Sequence, residues 1–469
     1  MHRIIYLSLS IGALLSACVS SNQSMPDNPS FVTKECAKEL TSSNVTCGSV
    51  AVPENHQEPD GRKIDLNVIV LRALQPPSER VAQFELDGGP GLAATDGAGF
   101  YATDGAAYRR TRDVVLIDMR GTGASNPLRC PALEQRQKAD PLAPLYPPDL
   151  VADCAKSLST ASDLRQYTTE AAARDIDHVR EALGYRQIDL SALSYGTTLA
   201  LRYIADFPER VRLALLMGTA PAHRTPPRHH ATSAERALKM LFDACGADPT
   251  CAAQYPDLEA ELDLAMERQR RLDPVTAPVL LENIRSKMYA PDTARRIPAL
   301  IRQLAQGNVD AFRPPGAGGW RSFADGLYLS ITCAESLARM NIDAAIEEAK
   351  TTRFGAYRLE RQRDACAHWP VAPPDPDLFR MGTYETPVLF ISGARDPVTL
   401  PDWTAEAAKM FPNSLNVIIP QSGHIFDGLT GIDTCLDPLI LHFFDTGLIK
   451  GLDTSCLETM RPGPFAPPG

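Results

Sequence analysis

Residues 187–208 are QIDLSALSYGTTLALRYIADFP, and this stretch predicts a strand, a sharp turn and a helix in direct succession. An apolar run leads to Ser194, which has a small residue two places away on each side, Ala192 and Gly196. This is the pattern of the nucleophile elbow G-x-S-x-G, with alanine in the first glycine position. It predicts Ser194 as a nucleophile. The alternatives are an N-cap role for this serine, or Ser191 as the nucleophile, although Ser191 lacks a small residue two places on.

A glycine-rich loop follows an earlier predicted strand, residues 81–86. The loop, residues 87–91, is Asp-Gly-Gly-Pro-Gly and has few side chains, so its backbone N–H groups can approach a substrate oxygen closely. We predict an oxyanion hole formed by this loop at Gly88 and Gly89 and by the N–H of Tyr195, which directly follows the serine. The alternative is a plain turn.

Two later apolar runs each deliver an ionisable residue just past their ends. Residues 387–392 precede Asp396, and residues 415–419 precede His424. In open α/β sheets, ligands bind beyond the carboxyl ends of the strands. The chain order Ser194, Asp396, His424 predicts that His424 accepts the serine proton while Asp396 orients the imidazole and stabilises its cation. The alternatives are a core histidine and a turn aspartate.

The order of predicted elements indicates an α/β fold. The chain has 469 residues, of which 44% are hydrophobic, enough for one large domain with an insertion or for two domains. Residues 31–221 alternate strands with helices, which predicts a mostly parallel sheet flanked by helices, with an antiparallel pair at its edge within residues 49–71. Residues 222–380 lack convincing buried strands and are predicted to form an inserted helical cap, and residues 381–469 complete the core. The predicted cap helices cover residues 233–245, 258–272, 297–306, 326–340 and 343–352.

The N-terminus is typical of an exported protein. Residues 1–17 combine a short basic region with an apolar run too short for a permanent membrane span, which predicts a signal peptide. The Leu-Ser-Ala-Cys sequence resembles a bacterial lipobox, which implies lipidation of Cys18, with residues 18–30 as a flexible tether. The alternative is an ordinary signal peptide cleaved nearby. Because Val19 is not an acidic retention signal, we expect a periplasm-facing or cell-surface lipoprotein, on the outer membrane if the host has two.

The cysteine count favours disulfides. Eleven cysteines less Cys18 leave ten, an even number in an exported chain. A metal site has less support because no C-x-x-C pair or histidine cluster accompanies them, and we predict no metal and no organic cofactor. His229 and His230 lie in a proline-rich, basic segment and are expected to be solvated. Connectivity is open, and the pairs of sequence neighbours are hypotheses: Cys36 with Cys47, Cys130 with Cys154, Cys245 with Cys251, Cys333 with Cys366, and Cys435 with Cys456.

Together the motifs resemble the prolyl iminopeptidase/tripeptidyl aminopeptidase family of α/β-hydrolases. The resemblance implies an α/β-hydrolase core with a helical cap, and removal of N-terminal residues or short peptides from peptides with a free N-terminus. It also implies an acidic cap residue that binds the substrate ammonium, for which Glu335 is the candidate; the alternative is a carboxylate on the helix surface or at a helix cap. Asp87, Ala192 and Ile425 depart from the family pattern. The matching segments are residues 88–91, 118–125, 194–197, 393–399 and 423–424.

Two other functions are compatible with the same motifs. A carboxylesterase or amidase for small molecules would use the same three residues, and only the cap would decide between that function and a peptidase. A non-catalytic, surface-binding lipoprotein with this fold is the third possibility, but it would not need an intact nucleophile, acid, histidine and glycine loop. A nucleic-acid partner has no electrostatic support, because the formal net charge is −10.

Overall fold

The structure, a computed structural model, describes residues 29–40, 44–76, 80–313 and 323–468. The predicted signal peptide, Cys18 and all but the last two residues of the predicted tether lie outside these ranges. No helix within them is long and apolar enough to cross a membrane.

The described residues form nine strands in one sheet, with the order β1-β2-β3-β5-β4-β6-β7-β8-β9. The first three strands and β5 pair antiparallel, and every pairing from β5 through β4 to β9 is parallel. The strands are β1 (Phe31–Lys34), β2 (Val45–Pro53), β3 (Lys63–Leu71), β4 (Ala82–Leu86), β5 (Asp113–Ile117), β6 (Ile188–Leu193), β7 (Val211–Met217), β8 (Val388–Gly393) and β9 (Ser414–Ile419).

The α-helices fall into three groups relative to these strands. Five precede β7: α1 (Ala98–Ala102), α2 (Pro131–Ala139), α3 (Pro148–Leu158), α4 (Thr169–Ala182) and α5 (Tyr195–Asp206). Those described between β7 and β8 are α6 (Pro226–Ala247), α7 (Pro249–Gln254), α8 (Leu258–Leu272), α9 (Thr276–Lys287), α10 (Pro291–Ala294), α11 (Ile297–Ala305), α12 (Asp325–Ile331), α13 (Ile342–Ala349) and α14 (Tyr357–Cys366). The last two are α15 (Pro401–Ala408) and α16 (Asp437–Thr446).

The apolar alternation of the strands gives the sheet two buried faces. In β3, Val68 and Val70 pack into the cluster on one face, while Ile69 and Leu71 pack into the cluster on the other. Because both faces are covered, the central parallel strands are buried along nearly their whole length, as β5 shows with five buried residues in succession. The predicted antiparallel pair is confirmed as β2 and β3, but the edge strand of the sheet is β1, which pairs with β2.

The helices between β7 and β8, which we call the cap, have an apolar core of their own. Leu238, Leu262, Leu280 and Ile301, from four different helices, are fully buried together there. Replacing one such leucine by alanine typically costs about 2–5 kcal/mol of stability, so this core alone contributes substantially to the order of the cap. Helices α6 to α11 thus pack around a core of their own, whereas Leu327 of α12 and Ala365 of α14 pack into the cluster on one face of the sheet.

The described residues contain ten cysteines, which form the five neighbour pairs predicted, at sulfur–sulfur distances of 1.93–2.06 Å. Two pairs lie within the cap. Cys245 and Cys251 join α6 to α7. Cys333 and Cys366 join the π-helical turn Thr332–Ser336 to the end of α14. The second pair matters for the site, because both connected segments contribute cavity-lining side chains.

Candidate active site

The chain reverses direction sharply at Ser194, between β6 and α5. Its φ and ψ are 57° and −124°, a left-handed conformation that costs a non-glycine residue about 1–3 kcal/mol. The turn needs glycine at position 196, because a Cβ there would lie 2.0 Å from the carbonyl oxygen of Leu86. The amide of Ser194 donates to the carbonyl of Met217 at 2.9 Å, which ties the turn to β7. The backbone therefore has the strained strand–turn–helix geometry that the sequence predicts.

Asp396 and His424 meet beyond the ends of β8 and β9. Nδ1 of His424 lies 2.7 Å from Oδ2 of Asp396, and both side chains are buried. The backbone amides of Val398 and Thr399 donate to Oδ1 of Asp396 at 2.7 and 2.9 Å, and the Thr399 hydroxyl donates to Oδ2 at 2.7 Å. The carboxylate thus has several donors besides the imidazole, which hold its plane in one orientation.

Ser194 and His424 border one cavity of about 520 Å³, which lies between the sheet edge and the cap. Nε2 of His424 is buried and has no hydrogen-bond partner among the described residues, so the structure contains no hydrogen bond from Ser194 to this nitrogen. Catalytic hydrogen bonds are often long without substrate and shorten in the reacting complex. The imidazole packs edge-on against the ring of Tyr289 from the cap, at 5.1 Å between centroids.

The predicted glycine loop lies directly against the serine. A Cβ on Gly88 would lie 2.9 Å from the Cβ of Ser194, so only glycine allows this approach. The N–H of Gly88 donates to Oδ1 of Asp87 at 2.7 Å and is therefore already engaged. Among the described residues, no hydrogen-bond acceptor is found for the N–H of Gly89 or of Tyr195. These two amides are the ones left available to a substrate oxygen.

Glu335 lies in the π-helical turn that continues α12, and it borders the same cavity. Its carboxylate accepts from the amide of Thr169 at 2.7 Å and from the Thr169 hydroxyl at 2.5 Å. That hydroxyl is 2.7 Å from the Tyr195 hydroxyl, which connects the carboxylate to the residue after the serine. Burial raises the pKa of Glu335 to about 7, although the Thr169 hydrogen bonds oppose the shift. π-Helical turns are rare and occur frequently at functional sites.

The cap wall also contains charged residues that the motifs did not indicate. Arg285 on α9 and Arg358 on α14 both border the cavity, and both donate to Glu282. The predicted cap helices omitted α9 and α14. Helix α14 buries only a few of its side chains, so it has little apolar periodicity by which to recognise it. No local signal distinguishes these arginines from surface arginines.

The expected solvation of His229 and His230 is wrong for His230. The segment is not a loop, because α6 begins at Pro226 and places His230 on a buried face that borders the cavity. Burial lowers the pKa of His230 well below its usual value, and the charges of Arg285 and Arg358 add to this effect. His230 is therefore a neutral, cavity-lining group at neutral pH. His229 packs edge-on against Trp403.

The fold agrees with the comparisons with known proteins. The sequence profile of the alpha/beta hydrolase fold family matches residues 86–426. The chain therefore belongs to this family, which confirms the predicted fold class and makes the protein a hydrolase. The match begins at the end of β4 and finishes just after His424, so it includes all the polar residues predicted for the site.

The more specific similarities are to serine peptidases. Tripeptidyl aminopeptidase of Streptomyces lividans is 26% identical over 464 residues, with 90% of this chain and 85% of that protein covered. Serine protease Hip1 of Mycobacterium tuberculosis is 23% identical over 461 residues, with 87% of each chain covered. The crystal structure of proline iminopeptidase from Mycobacterium smegmatis has a TM-score of 0.43 and 15% identity, and the alignment covers 85% of this chain and 97% of that one. The resemblance predicted from the motifs is confirmed by the named relatives.

Among the described residues, no group of three or more His, Cys, Asp and Glu side chains could hold a metal ion. The cavity and the residues that support it offer several polar groups of their own. These are a hydroxyl on a strained turn, an imidazole bound to a carboxylate, two available amides and a buried acidic group.

Proposed function

We propose that the protein is a serine peptidase in which Ser194, His424 and Asp396 act as a catalytic triad. The Ser194 hydroxyl attacks the substrate carbonyl carbon while Nε2 of His424 accepts its proton. The protonated imidazole then gives that proton to the leaving amine, and the acyl group stays bonded to the serine oxygen. Asp396 accepts a hydrogen bond from Nδ1–H of His424 and stabilises the imidazolium. The 2.7 Å contact between His424 and Asp396 supports these roles.

The acyl-enzyme is released by the same groups acting in reverse. Nε2 of His424 takes a proton from water, the resulting hydroxide attacks the acyl carbon, and the serine oxygen regains the proton as the ester bond breaks. In both half-reactions the carbonyl oxygen becomes negative. The amides of Gly89 and Tyr195 are the proposed donors to that oxygen, because the amide of Gly88 already donates to Asp87. Loss of one such donor typically costs about 10²–10³ in kcat.

The observation that carries peptidase activity at N-termini is the position of Glu335. A buried carboxylate shares one cavity with Ser194 and is linked through Thr169 to Tyr195. Burying a carboxylate is costly, and a substrate ammonium would compensate its charge. The substrate is therefore proposed to be a peptide with a free N-terminus, bound by its ammonium to Glu335. The similarity to tripeptidyl aminopeptidase supports the same assignment.

The test is a comparison of matched peptides with and without a free amine. We expect free-amine peptide amides to be cleaved and their N-acetylated forms to be spared, since acetylation removes the charge that Glu335 would bind. Charge-assisted hydrogen bonds contribute about 1.5–3 kcal/mol, which corresponds to a discrimination of about 10- to 100-fold in kcat/KM. Equal rates on both forms would overturn the aminopeptidase assignment. Rapid hydrolysis of simple aryl esters alone would indicate a carboxylesterase instead.

We further propose that the mature protein is a disulfide-bonded lipoprotein attached to a membrane through Cys18. The lipobox-like sequence and the five cysteine pairs support this proposal. Cys18→Ser should move the protein from the membrane fraction to the soluble fraction, whereas the control Ser20→Ala should not. Unchanged fractionation of Cys18→Ser would contradict the anchor. Thiol titration of the unreduced, denatured protein should find no free thiols among the ten remaining cysteines.

A further inference from the structure

The cap places one buried guanidinium group, one partly buried guanidinium group and only one carboxylate in a single cluster at the cavity wall. Nε of Arg285 donates to Oε2 of Glu282 at 3.0 Å, and Nε of Arg358 donates to the same oxygen at 2.7 Å. The side chains are 5%, 16% and 11% exposed for Arg285, Arg358 and Glu282. One carboxylate cannot balance two guanidinium charges, so the cluster carries one excess positive charge.

The excess charge lies on the cavity side of the cluster. Both arginines border the cavity, whereas Glu282 is not among the described residues that line it. Nη1 of Arg285 donates to the Tyr289 hydroxyl at 2.9 Å. Among the described residues, no acceptor is found for the Nη groups of Arg358, and these atoms are not enclosed by protein. Arg358 therefore presents free donors to whatever occupies the cavity.

The protonation states of the cluster do not remove this imbalance. Burial by itself would raise the pKa of Glu282, but the charges of Arg358 and Arg285 outweigh it and hold the pKa below its usual value. The carboxylate is then ionised at neutral pH, and both guanidinium groups remain protonated at any physiological pH. A partly buried, uncompensated charge is costly and is normally paired with an opposite charge.

The basic cluster lies at a different part of the wall from Glu335. Gln362, four residues after Arg358 on α14, donates to the hydroxyl of Tyr328, whose ring stacks on that of Tyr146 at 5.9 Å. Tyr328 precedes Glu335 by seven residues along α12 and its π-helical continuation, which corresponds to about 10 Å of helix. The cavity thus has an acidic region beside the serine turn and a basic region under α9 and α14.

We propose that Arg358 and Arg285 form a carboxylate-binding subsite that selects peptide substrates carrying a second, negative charge. Guanidinium groups match carboxylates in geometry as well as in charge, and such pairs form two parallel hydrogen bonds. The carboxylate can come from an acidic side chain or from the C-terminus of a short peptide. This inference rests on the proposed peptidase function. The substrate class is a peptide with an ammonium for Glu335 and a carboxylate for Arg358.

The first experiment measures kcat/KM for two sets of free-amine peptides. One set differs only by glutamate against glutamine at each position, and the other by a C-terminal acid against an amide. In one of the two sets we expect the peptide with the carboxylate to have a kcat/KM about 10- to 100-fold higher than its neutral partner. The set that shows this difference identifies whether the carboxylate comes from a side chain or from the C-terminus. Wild-type ratios near one in both sets would overturn the subsite.

The variants test whether Arg358 is responsible. Arg358→Gln should bring the acid-to-amide ratio close to one, because Glu282 keeps Arg285 as its partner and the excess charge disappears. Arg358→Lys, which retains the charge but cannot form a bidentate pair with a carboxylate, should give an intermediate ratio. The matched control is Arg363→Gln on the same helix, whose side chain is 48% exposed and pairs with Asp364; it should leave the ratio unchanged. A ratio that survives in Arg358→Gln would contradict the proposal.

A binding measurement separates this proposal from the peptidase assignment. If no peptide is cleaved, the melting temperature with glutarate against glutaramide still reports carboxylate binding, because a ligand that binds only the folded state raises Tm. We expect a rise with glutarate in the wild type and in Arg363→Gln, and none in Arg358→Gln. Equal responses to the two compounds, or an undiminished response of Arg358→Gln to glutarate, would overturn the subsite whatever the enzyme hydrolyses.

Discussion

The two walls of the cavity hold their polar side chains in different ways. On the sheet side, Ser194 is positioned by a strained backbone turn, and Asp396 is held by two backbone amides and one hydroxyl. On the cap side, Arg358 and Arg285 are held chiefly by side-chain hydrogen bonds to one carboxylate. Backbone positioning is independent of neighbouring side chains, whereas a salt-bridged cluster changes with each of its members.

This difference assigns turnover to the sheet edge and substrate preference to the cap, two properties that are often combined in one site. Substitutions at the sheet edge should reduce turnover for every substrate, because each reacting carbonyl needs the same nucleophile and base. Substitutions in the cap should change which substrates are preferred, because its charges contact parts of the substrate away from the reacting carbon. The following measurements can confirm or contradict that separation.

The largest effect is expected for Ser194→Ala. Removing the nucleophile should lower kcat by about 10⁶-fold and abolish labelling by a fluorophosphonate probe. The thermal unfolding of this variant should change little, because no hydrogen bond from the Ser194 hydroxyl is present in the described part of the chain. Ser191→Ala, which removes the rival serine on β6, is the control and should keep full labelling. Labelling that persists in Ser194→Ala would contradict the nucleophile assignment.

A smaller but still general loss is expected for Asp396→Asn. The amide preserves the shape of the side chain but no longer favours the Nδ1–H tautomer of His424 or stabilises its cation, so kcat should fall by about 10⁴-fold. The loss should be the same for ester and peptide substrates. Asp402→Asn, on the exposed surface of α15, should have no effect. If Asp396→Asn keeps more than about a tenth of the activity, Asp396 is not the orienting acid.

The smallest expected effect is a pH dependence of substrate preference that arises from Glu335 in the cap. The raised pKa of Glu335, about 7, means that its carboxylate forms as the pH rises through that value. The kcat/KM ratio of a free-amine peptide to a neutral aryl ester should therefore rise by up to about tenfold per pH unit below about 7, and it should fall again above about 8, where the α-amino group of the peptide loses its proton. The ratio cancels any titration that both substrates share.

Glu335→Gln should make this ratio low and independent of pH across the same range. The control is Glu347→Gln on α13, whose carboxylate is 72% exposed and pairs with Lys350. A ratio that stays flat in the wild type, or a pH dependence that survives in Glu335→Gln, would show that this carboxylate does not bind the substrate amine. The cap would then not bind the substrate ammonium, but the proposed roles of Ser194, Asp396 and His424 at the sheet edge would be unaffected.

The features that the sequence predicts well are those governed by local sterics. The elbow at Ser194 needs a small residue two places on, and the close approach of Gly88 to the serine needs a residue without a side chain. Such requirements leave short motifs that can be recognised without knowing the fold. The same holds for Asp396 and His424, which directly follow two apolar runs that form β8 and β9.

Other features are not visible locally because their partners are distant in the chain. Glu282 and Arg358 are 76 residues apart, and nothing near either of them indicates the contact. His230 lies in a segment rich in proline and basic residues, which favours a solvated loop, yet α6 begins at Pro226 and turns this histidine into the cavity. Thr399, which braces Asp396, follows it by only three residues but has no distinguishing pattern.

The sequence by itself determined the α/β order of the core, the strained serine turn, the glycine loop and the positions of Asp396 and His424 just past two strands. It could do so because apolar periodicity and steric exclusion act over a few neighbouring residues. The tertiary structure alone decided which side chains of the cap border the cavity and how their charges balance. Charge balance in a buried cluster depends on which residues meet after folding, and that is a property of the packed chain rather than of any segment.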